Sequence, residues 1–198
     1  MYVPKAFALT DAGALRSFIE AHPFGILVSA RDGIPLGTHV PFVLLEREPL
    51  TLGLHMAKAN PHWEALQSVP VLAIFHGPHE FISASWYEDP RVSVPTWNYS
   101  AVHCAGIAGI ADERETQRIL EMMVDTFEGE RGWSIEGADR DYVDRMKRGI
   151  VGIRVAVTSI QGVVKHSQNR SDEDRRRVAA RLEQTCPEIA EEMRAQLR

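Results

Sequence analysis

Side chains suited to chemistry gather in three stretches of this chain. The first is a pair of runs, "SASWY" (Ser83 to Tyr87) and "VPTWNY" (Val94 to Tyr99). Trp86, Tyr87, Trp97 and Tyr99 each join a large apolar ring to a polar handle. With Ser83, Ser85, Thr96 and Asn98 beside them, such rings could flank a flat ligand rich in heteroatoms. Equally, they could fill a barrel end or a subunit interface. The second stretch is "GLHMAKANPHW" (Gly53 to Trp63), where His55, Met56, Ala57, Lys58 and Asn60 lie at a change from strand to helix. A helix N-terminus offers free backbone N–H groups and partial positive charge. Lys58 adds a full charge, which makes a phosphate cradle. The alternative is a capped helix with a solvated lysine. The third stretch is "KHSQNRS" (Lys165 to Ser171), six polar residues ending in Arg170 and then a serine. Gln168 and Arg170 suit a phosphate or the edge of a ring. The alternative is a surface turn leading into a helix capped by Ser171.

Other chemistries lack their usual handles. His76 and His79 in "HGPH" are close, but no third or fourth ligand is evident for zinc, so a turn pair is expected and no metal. No G-x-S-x-G or H-E-x-x-H occurs, and no G-x-G-x-x-G follows a strand. Cys104 and Cys186 form no CxxC pair, which argues against a disulfide framework or a zinc ribbon. Cys104 is expected to pack rather than react.

The elements that must position these stretches read as short strands with helices between and after them. Thr10 and Asp11 precede a helix on which Leu15, Phe18 and Ile19 recur at helical spacing, and Pro23 follows it. "FGILVSA" predicts a buried strand, "RDG" a turn, and "HVPFVLL" the hairpin partner. "LTLGLHM" predicts a strand. Asn60 and Pro61 then open a short helix, "PHWEALQ". "VLAIF" and "EFISAS" predict two strands around "HGPHE", and "NYSAVHCAGIAGIA" a longer one. A helix over Glu113 to Phe127 carries one apolar stripe, with Ile119, Met123 and Phe127 facing inward. The stretch "GERGWSIEGADR" predicts a loop, and "DYVDRMKRG" a short helix ended by Gly149. In "IVGIRVAVTSI", Val151, Ile153, Val155 and Val157 share a face. From Ser171 the chain predicts charged helix interrupted near Pro187, with Val178, Leu182 and Ile189 as its stripe and Arg175 to Arg177 as its one basic run.

Six or seven strands with short connections favour antiparallel pairing, so the expected class is mainly β with peripheral helices, a small antiparallel barrel. The expected division is a barrel domain over residues 1–170 and a helical extension over residues 171–198. The chain has 198 residues, enough for a core without staples. No leader pattern or long apolar window is present, so a soluble, cytoplasmic protein without membrane contact is expected. A formal charge of −5 gives non-specific nucleic-acid binding no support.

"MYVPKAF", "HMAKANPHW", "ISASWY", "VPTWNY", "IVGIRVAVTSIQG" and "KHSQNRS", in this order from Met1 to about Val178, resemble the PaiB family. The resemblance implies the split β-barrel of FMN-binding proteins such as pyridoxamine-phosphate oxidase, usually a homodimer with a flavin at each end of the interface. FMN is then the cofactor, its phosphate at the His55–Lys58–Asn60 stretch and its rings by the aromatic runs. The loop here reads His-Met-Ala-Lys-Ala-Asn where oxidases of that fold often place Ser or Thr. The resemblance also implies a negative transcriptional regulator, tied in bacilli to sporulation and degradative enzymes, although no helix-turn-helix can be delimited and any DNA-contacting element is unidentified. The alternative is an FMN-dependent oxidoreductase acting on a small substrate, with His103 and Tyr99 as the nearest candidate proton donors. A third reading borrows from haem-degrading relatives of the barrel, but no axial ligand is evident.

Overall fold

A computed structural model describes residues 1–129 and 132–197. Among the described residues the chain forms eight strands and five α-helices, joined by short 3-10 turns. In chain order these are β1 (Ala8–Leu9), α1 (Ala12–Ala21), β2 (Phe24–Arg31), β3 (Ile34–Pro41), β4 (Val43–Arg47), β5 (Leu50–Ala57), β6 (Val69–Ile82) and β7 (Thr96–Ile110). There follow α2 (Glu113–Glu128), α3 (Arg140–Lys147), β8 (Ile150–Lys165), α4 (Asp172–Leu182) and α5 (Pro187–Ala195). The expected loop from Gly129 to Arg140 includes residues 130 and 131, which lie outside the described residues.

The strands are hydrogen-bonded in the order β3-β2-β6-β7-β8-β5-β4, with β1 added beside β8. The β2–β3 hairpin turns at Asp32 and Gly33, whose φ angles of 53° and 77° are the left-handed pair that a tight two-residue hairpin requires. β3 and β4 occupy opposite ends of the hydrogen-bonded path, yet Phe42 alone separates them in sequence. Two peptide steps reach at most about 7.6 Å. Seven strands laid flat would hold their edges roughly 29 Å apart. The sheet is therefore rolled until its edges approach at this corner. Among the described residues no ladder joins β3 to β4, so the barrel stays open along that seam. Pro35 and Pro41 sit on β3, where an edge strand tolerates a missing N–H. This is the split antiparallel barrel of the pyridoxamine-phosphate-oxidase type.

Several expected boundaries move. "HVPFVLL" is not one hairpin strand; it divides at Phe42 between β3 and β4, because Pro41 cannot donate to a continued ladder. "VLAIF" and "EFISAS" merge into the 14-residue β6. The turn signal at Gly77-Pro78 yields to packing: a Cβ at Gly77 would lie 2.3 Å from Ser100 Oγ, so glycine here serves close approach rather than a turn. The eighth strand, β1, is only two residues long and shows no period of its own.

The chain divides into two compact units. One comprises Ile19–Phe75 and His103–Ile160. It holds the rolled sheet over a core that includes Leu27, Phe42, Leu52, Leu54, Phe75 and Ile153. Phe42 and Phe75 meet edge to face at 5.0 Å. Helix α2 begins where Asp112 accepts the Glu115 N–H at 2.8 Å, and it buries Ile119 and Met123. It lies so near β5 that a Cβ at Gly53 would sit 3.0 Å from Ile119. Phe127, expected on the inward stripe, is 48% exposed, since it lies in the last turn beyond the face that meets the sheet.

The other unit comprises Met1–Phe18, His76–Val102 and the described part of Gln161–Arg198. Its core is a cluster of Ile82 and Tyr87 with Val178, Ala179 and Leu182 of α4 and Ile189, Ala190 and Met193 of α5. Ser171 caps α4 by accepting the Asp174 N–H, and Pro187 starts α5, as the sequence pattern predicts. Among the described residues no helix is long and apolar enough to cross a membrane.

Candidate functional site

The candidate residues fall into two groups, one in each unit, and each group is built differently. In the barrel unit, β5 delivers His55, Met56 and Ala57, and the following loop carries Lys58 and Asn60. Met56 is buried in the core. The His55 ring is half-buried, with Nδ1 3.2 Å from Met123 Sδ. Lys58 is exposed and has no carboxylate within ion-pair distance among the described residues. Asn60 caps the next turn by accepting the His62 N–H at 3.0 Å. That turn, Pro61–Ala65, is a five-residue 3-10 turn rather than the expected helix, so it has little dipole to offer an anion. Two backbone N–H groups of the loop are already occupied. Lys58 N–H donates to Gly149 O at 2.8 Å and Asn60 N–H to Ala57 O at 2.9 Å. Lys58 is left as a charged side chain on a closed loop.

That loop is fastened by residues the sequence reading missed. His62 is 4% exposed, and its Nε2 lies 2.8 Å from Ser29 Oγ while Nδ1 lies 2.7 Å from Thr38 Oγ1. Asn60 Nδ2 donates to the same Thr38 oxygen at 3.3 Å, and Trp63 Nε1 donates to Lys58 O at 3.0 Å. The signal was weak because Ser29, Thr38 and His62 are far apart in sequence and look ordinary singly. Burial holds the pKa of both His62 and His55 below the usual histidine value. Between the lowered folded value and about 6.5, the unfolded chain binds more protons than the folded one. Stability is therefore full above about pH 6.5 and is lost as the pH falls through the folded values. Thermal melts should show Tm dropping from about pH 7 to about pH 5, with a shallower slope in His62→Gln. An unchanged slope in that variant would remove His62 as a contributor.

In the second unit, the start of β7 and the turn after β8 come together. Asn98 is fully buried, and its Oδ1 accepts the Ser167 hydroxyl at 3.1 Å. Lys165 donates through Nζ to Thr96 Oγ1 and to Trp97 O, the latter at 2.7 Å. Burial, and then the Arg170 charge, hold the Lys165 pKa below the usual lysine value. Gln168 folds back onto its own turn, accepting the His166 N–H and donating to Val164 O, both at 2.7 Å. Its side chain shapes the turn and is not turned outward. The Arg170 guanidinium lies over the Tyr87 ring, 4.3 Å from its centre. Neither Lys165 nor Arg170 has a carboxylate within ion-pair distance among the described residues. Trp97 is 52% exposed, with Phe81 edge-on at 5.9 Å and His79 at 6.4 Å. Ser83 caps the short turn holding Trp86, whose carbonyl accepts from Arg177 Nε. Trp86 packs on the α4–α5 cluster and Tyr87 lies within it, so these two rings serve the core. Of the missed residues here, Lys165 stood within a motif already singled out. Phe81 and His79 sit on β6, His79 where a turn was expected and Phe81 on an expected strand.

Tyr99 lies beside this group on β7, partly buried, and His103 falls in the barrel unit. His76 and His79 are both exposed on β6. Among the described residues no group of three His, Cys, Asp or Glu side chains is placed to hold a metal. Burial pushes the Cys104 thiol up to about 12, so it is a packed, unreactive thiol at neutral pH.

Comparisons with known proteins bear on the family and the fold. The family model described as "Putative FMN-binding domain" matches residues 1–159. The Bacillus subtilis protein named "Protease synthase and sporulation protein PAI 2" is 34% identical over 187 residues, covering 92% of this chain and 89% of that one. Among solved structures, the flavocytochrome Anf3 from Azotobacter vinelandii superposes with a TM-score of 0.63 at 16% identity, over 83% of this chain and 72% of that one. A Listeria innocua protein described as "Putative Pyridoxamine 5'-phosphate oxidase" superposes with a TM-score of 0.50 at 19% identity, over 76% and 96%. At such identities the two structures speak for the fold alone.

Proposed function

This chain belongs to the PaiB family of FMN-binding domains, and from that membership we propose that its aromatic and cationic unit grips the flavin. One observation carries the reading: Lys165 and Arg170 stand without carboxylate partners among the described residues, Lys165 bonded to the carbonyl of half-exposed Trp97 and Arg170 resting on the Tyr87 ring. Two neighbouring cations repel each other, and a dianionic phosphate would relieve that repulsion with charge-assisted hydrogen bonds. Lys165 has one N–H left after its two bonds, and Arg170 keeps its donor edge clear while its face rests on Tyr87. Trp97 and Phe81 offer apolar faces of the kind an isoalloxazine ring stacks on. Thr96 holds the ammonium in place. FMN, when bound, would supply redox chemistry. The protein residues would bind and orient it and exclude water.

In this reading the chain is a flavin-binding module of a PaiB-type regulator. Each arginine of its basic run has a partner within the chain. Arg175 reaches Asp172 and Gln196, Arg176 lies 3.8 Å from Glu173, and Arg177 donates to Trp86 O. Regulation would then run through ligand state rather than through non-specific phosphate contacts. Titrating FMN against the apoprotein while following flavin fluorescence tests the binding. Adding NADH or NADPH to the complex separates binding module from oxidoreductase: rapid bleaching would favour turnover and sink the module reading.

We also propose a homodimer. Phe81, Val92, Val94 and Trp97 of this unit are 42%, 80%, 67% and 52% exposed, an unusual concentration of apolar surface in one segment. Aromatic residues are enriched at interfaces, and a second copy would cover them. Sedimentation at micromolar concentration should give about twice the chain mass, and a lone monomer would overturn the dimer.

A further inference from the structure

In the barrel unit a cleft of about 680 Å³ opens between the start of α2 and the strands β7 and β8. Ile110, Asp112, Arg114, Glu115, Arg118 and Arg154 line it. The three arginines differ in what they do. Arg118 is engaged, with Nη1 3.0 Å from Glu46 Oε1 and Nη2 donating to Leu45 O at 2.8 Å. Arg114 and Arg154 are exposed, and neither has a carboxylate within ion-pair distance among the described residues. Arg114 is also badly placed for the fold. It stands in the first turn of α2, where the helix dipole disfavours a cation, and four residues before another arginine. Local choices that oppose the fold without a compensating contact concentrate where a protein binds something.

The carboxylates of the cleft have their own constraints. Asp112, which lines the cleft, uses Oδ1 to cap α2, which leaves its second oxygen as an acceptor. Glu115 adds another carboxylate. Guanidinium and carboxylate groups line the cleft together, so a bare anion would meet charges of both signs. A ligand that carries both a phosphate and donor hydroxyls satisfies both kinds of group. The volume suits a small metabolite.

We propose that this cleft binds a phosphorylated, polyhydroxylated small molecule, held by Arg114 and Arg154 at its phosphate and by Asp112 and Glu115 at its hydroxyls. The site is separate from the flavin reading and does not depend on it. Ribose 5-phosphate is a fitting probe, titrated calorimetrically into the protein with and without FMN. Binding near or tighter than about 1 mM is expected in both states, and inorganic phosphate should bind more weakly. Replacing Arg114→Gln together with Arg154→Gln should weaken the probe at least about 10-fold, since each guanidinium supplies charged hydrogen bonds. Both side chains are exposed, so the variant should keep the melting temperature of the parent. Equal affinity in the double variant would overturn the proposal. So would absence of binding in the parent, equal binding of inorganic phosphate, or displacement of FMN by the probe, which would put the phosphate in the flavin's place.

Discussion

Arg170→Ala is expected to weaken FMN binding about 10- to 100-fold. The guanidinium is held over Tyr87 and faces no carboxylate, so its donors have no protein acceptor to compete with a ligand. A hydrogen bond to a charged group is worth about 1.5–3 kcal/mol. At about 1.4 kcal/mol per tenfold, losing one such contact gives the stated range. Arg170→Lys should recover only part of the loss, because an ammonium keeps the charge but lacks the planar fork and the stacking face. Lys58→Ala is the informative companion. Its side chain is exposed, the N–H groups of Lys58 and Asn60 are already bonded within the chain, and a solvated charge is screened. The smaller effect is therefore expected at Lys58, within about 10-fold. Fluorescence titration of both variants beside the parent decides the matter. A larger loss at Lys58 than at Arg170 would move the phosphate to the loop after β5. No loss at either would remove both cations from the flavin site.

How much of this was legible beforehand differs between fold and site. Alternation in β8 and the Ile119 and Met123 positions of the α2 stripe read correctly, though not Phe127, because burial on one face writes itself into the sequence with period 2 or 3.6. Asn60 and Ser171 were legible as caps for a local reason: the side chain bonds a backbone N–H two or three residues on. Gly77 was misread because its cause is non-local. It is glycine to admit Ser100 and Phe18, and nothing in "HGPH" announces either. The Phe42 corner likewise looked like one apolar run, since an edge-to-edge crossing leaves no periodic trace. At the site, residue types were visible but roles were not. Gln168 looked like a ligand contact and proves to brace its own turn, while Tyr87 looked like a ligand platform and lies in a helix-packed core. The His62 network joins three elements, so only the folded chain displays it.

The second large effect concerns the helices that support the aromatic unit. Leu182 is fully buried at the end of α4, among Tyr87, Val178, Ile189 and Met193. Leu182→Ala removes its branched tip from a close-packed cluster and leaves a cavity, which typically costs about 2–5 kcal/mol. In a chain of this size each kcal/mol lowers Tm by about 2–4 °C, so a fall of roughly 4–20 °C is expected. Leu182→Met nearly conserves volume and should cost less than about 1.5 kcal/mol. Arg176→Ala is the matched surface change. Its ion pair with Glu173 is long and both partners are exposed, so little change is expected. The packing also has a consequence for binding. Tyr87 belongs to the same cluster and carries Arg170 on its face, so loosening the cluster should weaken FMN as well as lower Tm. Arg170→Ala, by contrast, should weaken FMN with little change in Tm. Denaturation followed by far-ultraviolet circular dichroism, set beside the flavin titration, separates the two effects. If Leu182→Ala melted within 1–2 °C of the parent, α4 and α5 would not be packed on this unit as described. If it melted early but bound FMN as the parent does, Tyr87 and Arg170 would owe their placement to something other than these helices.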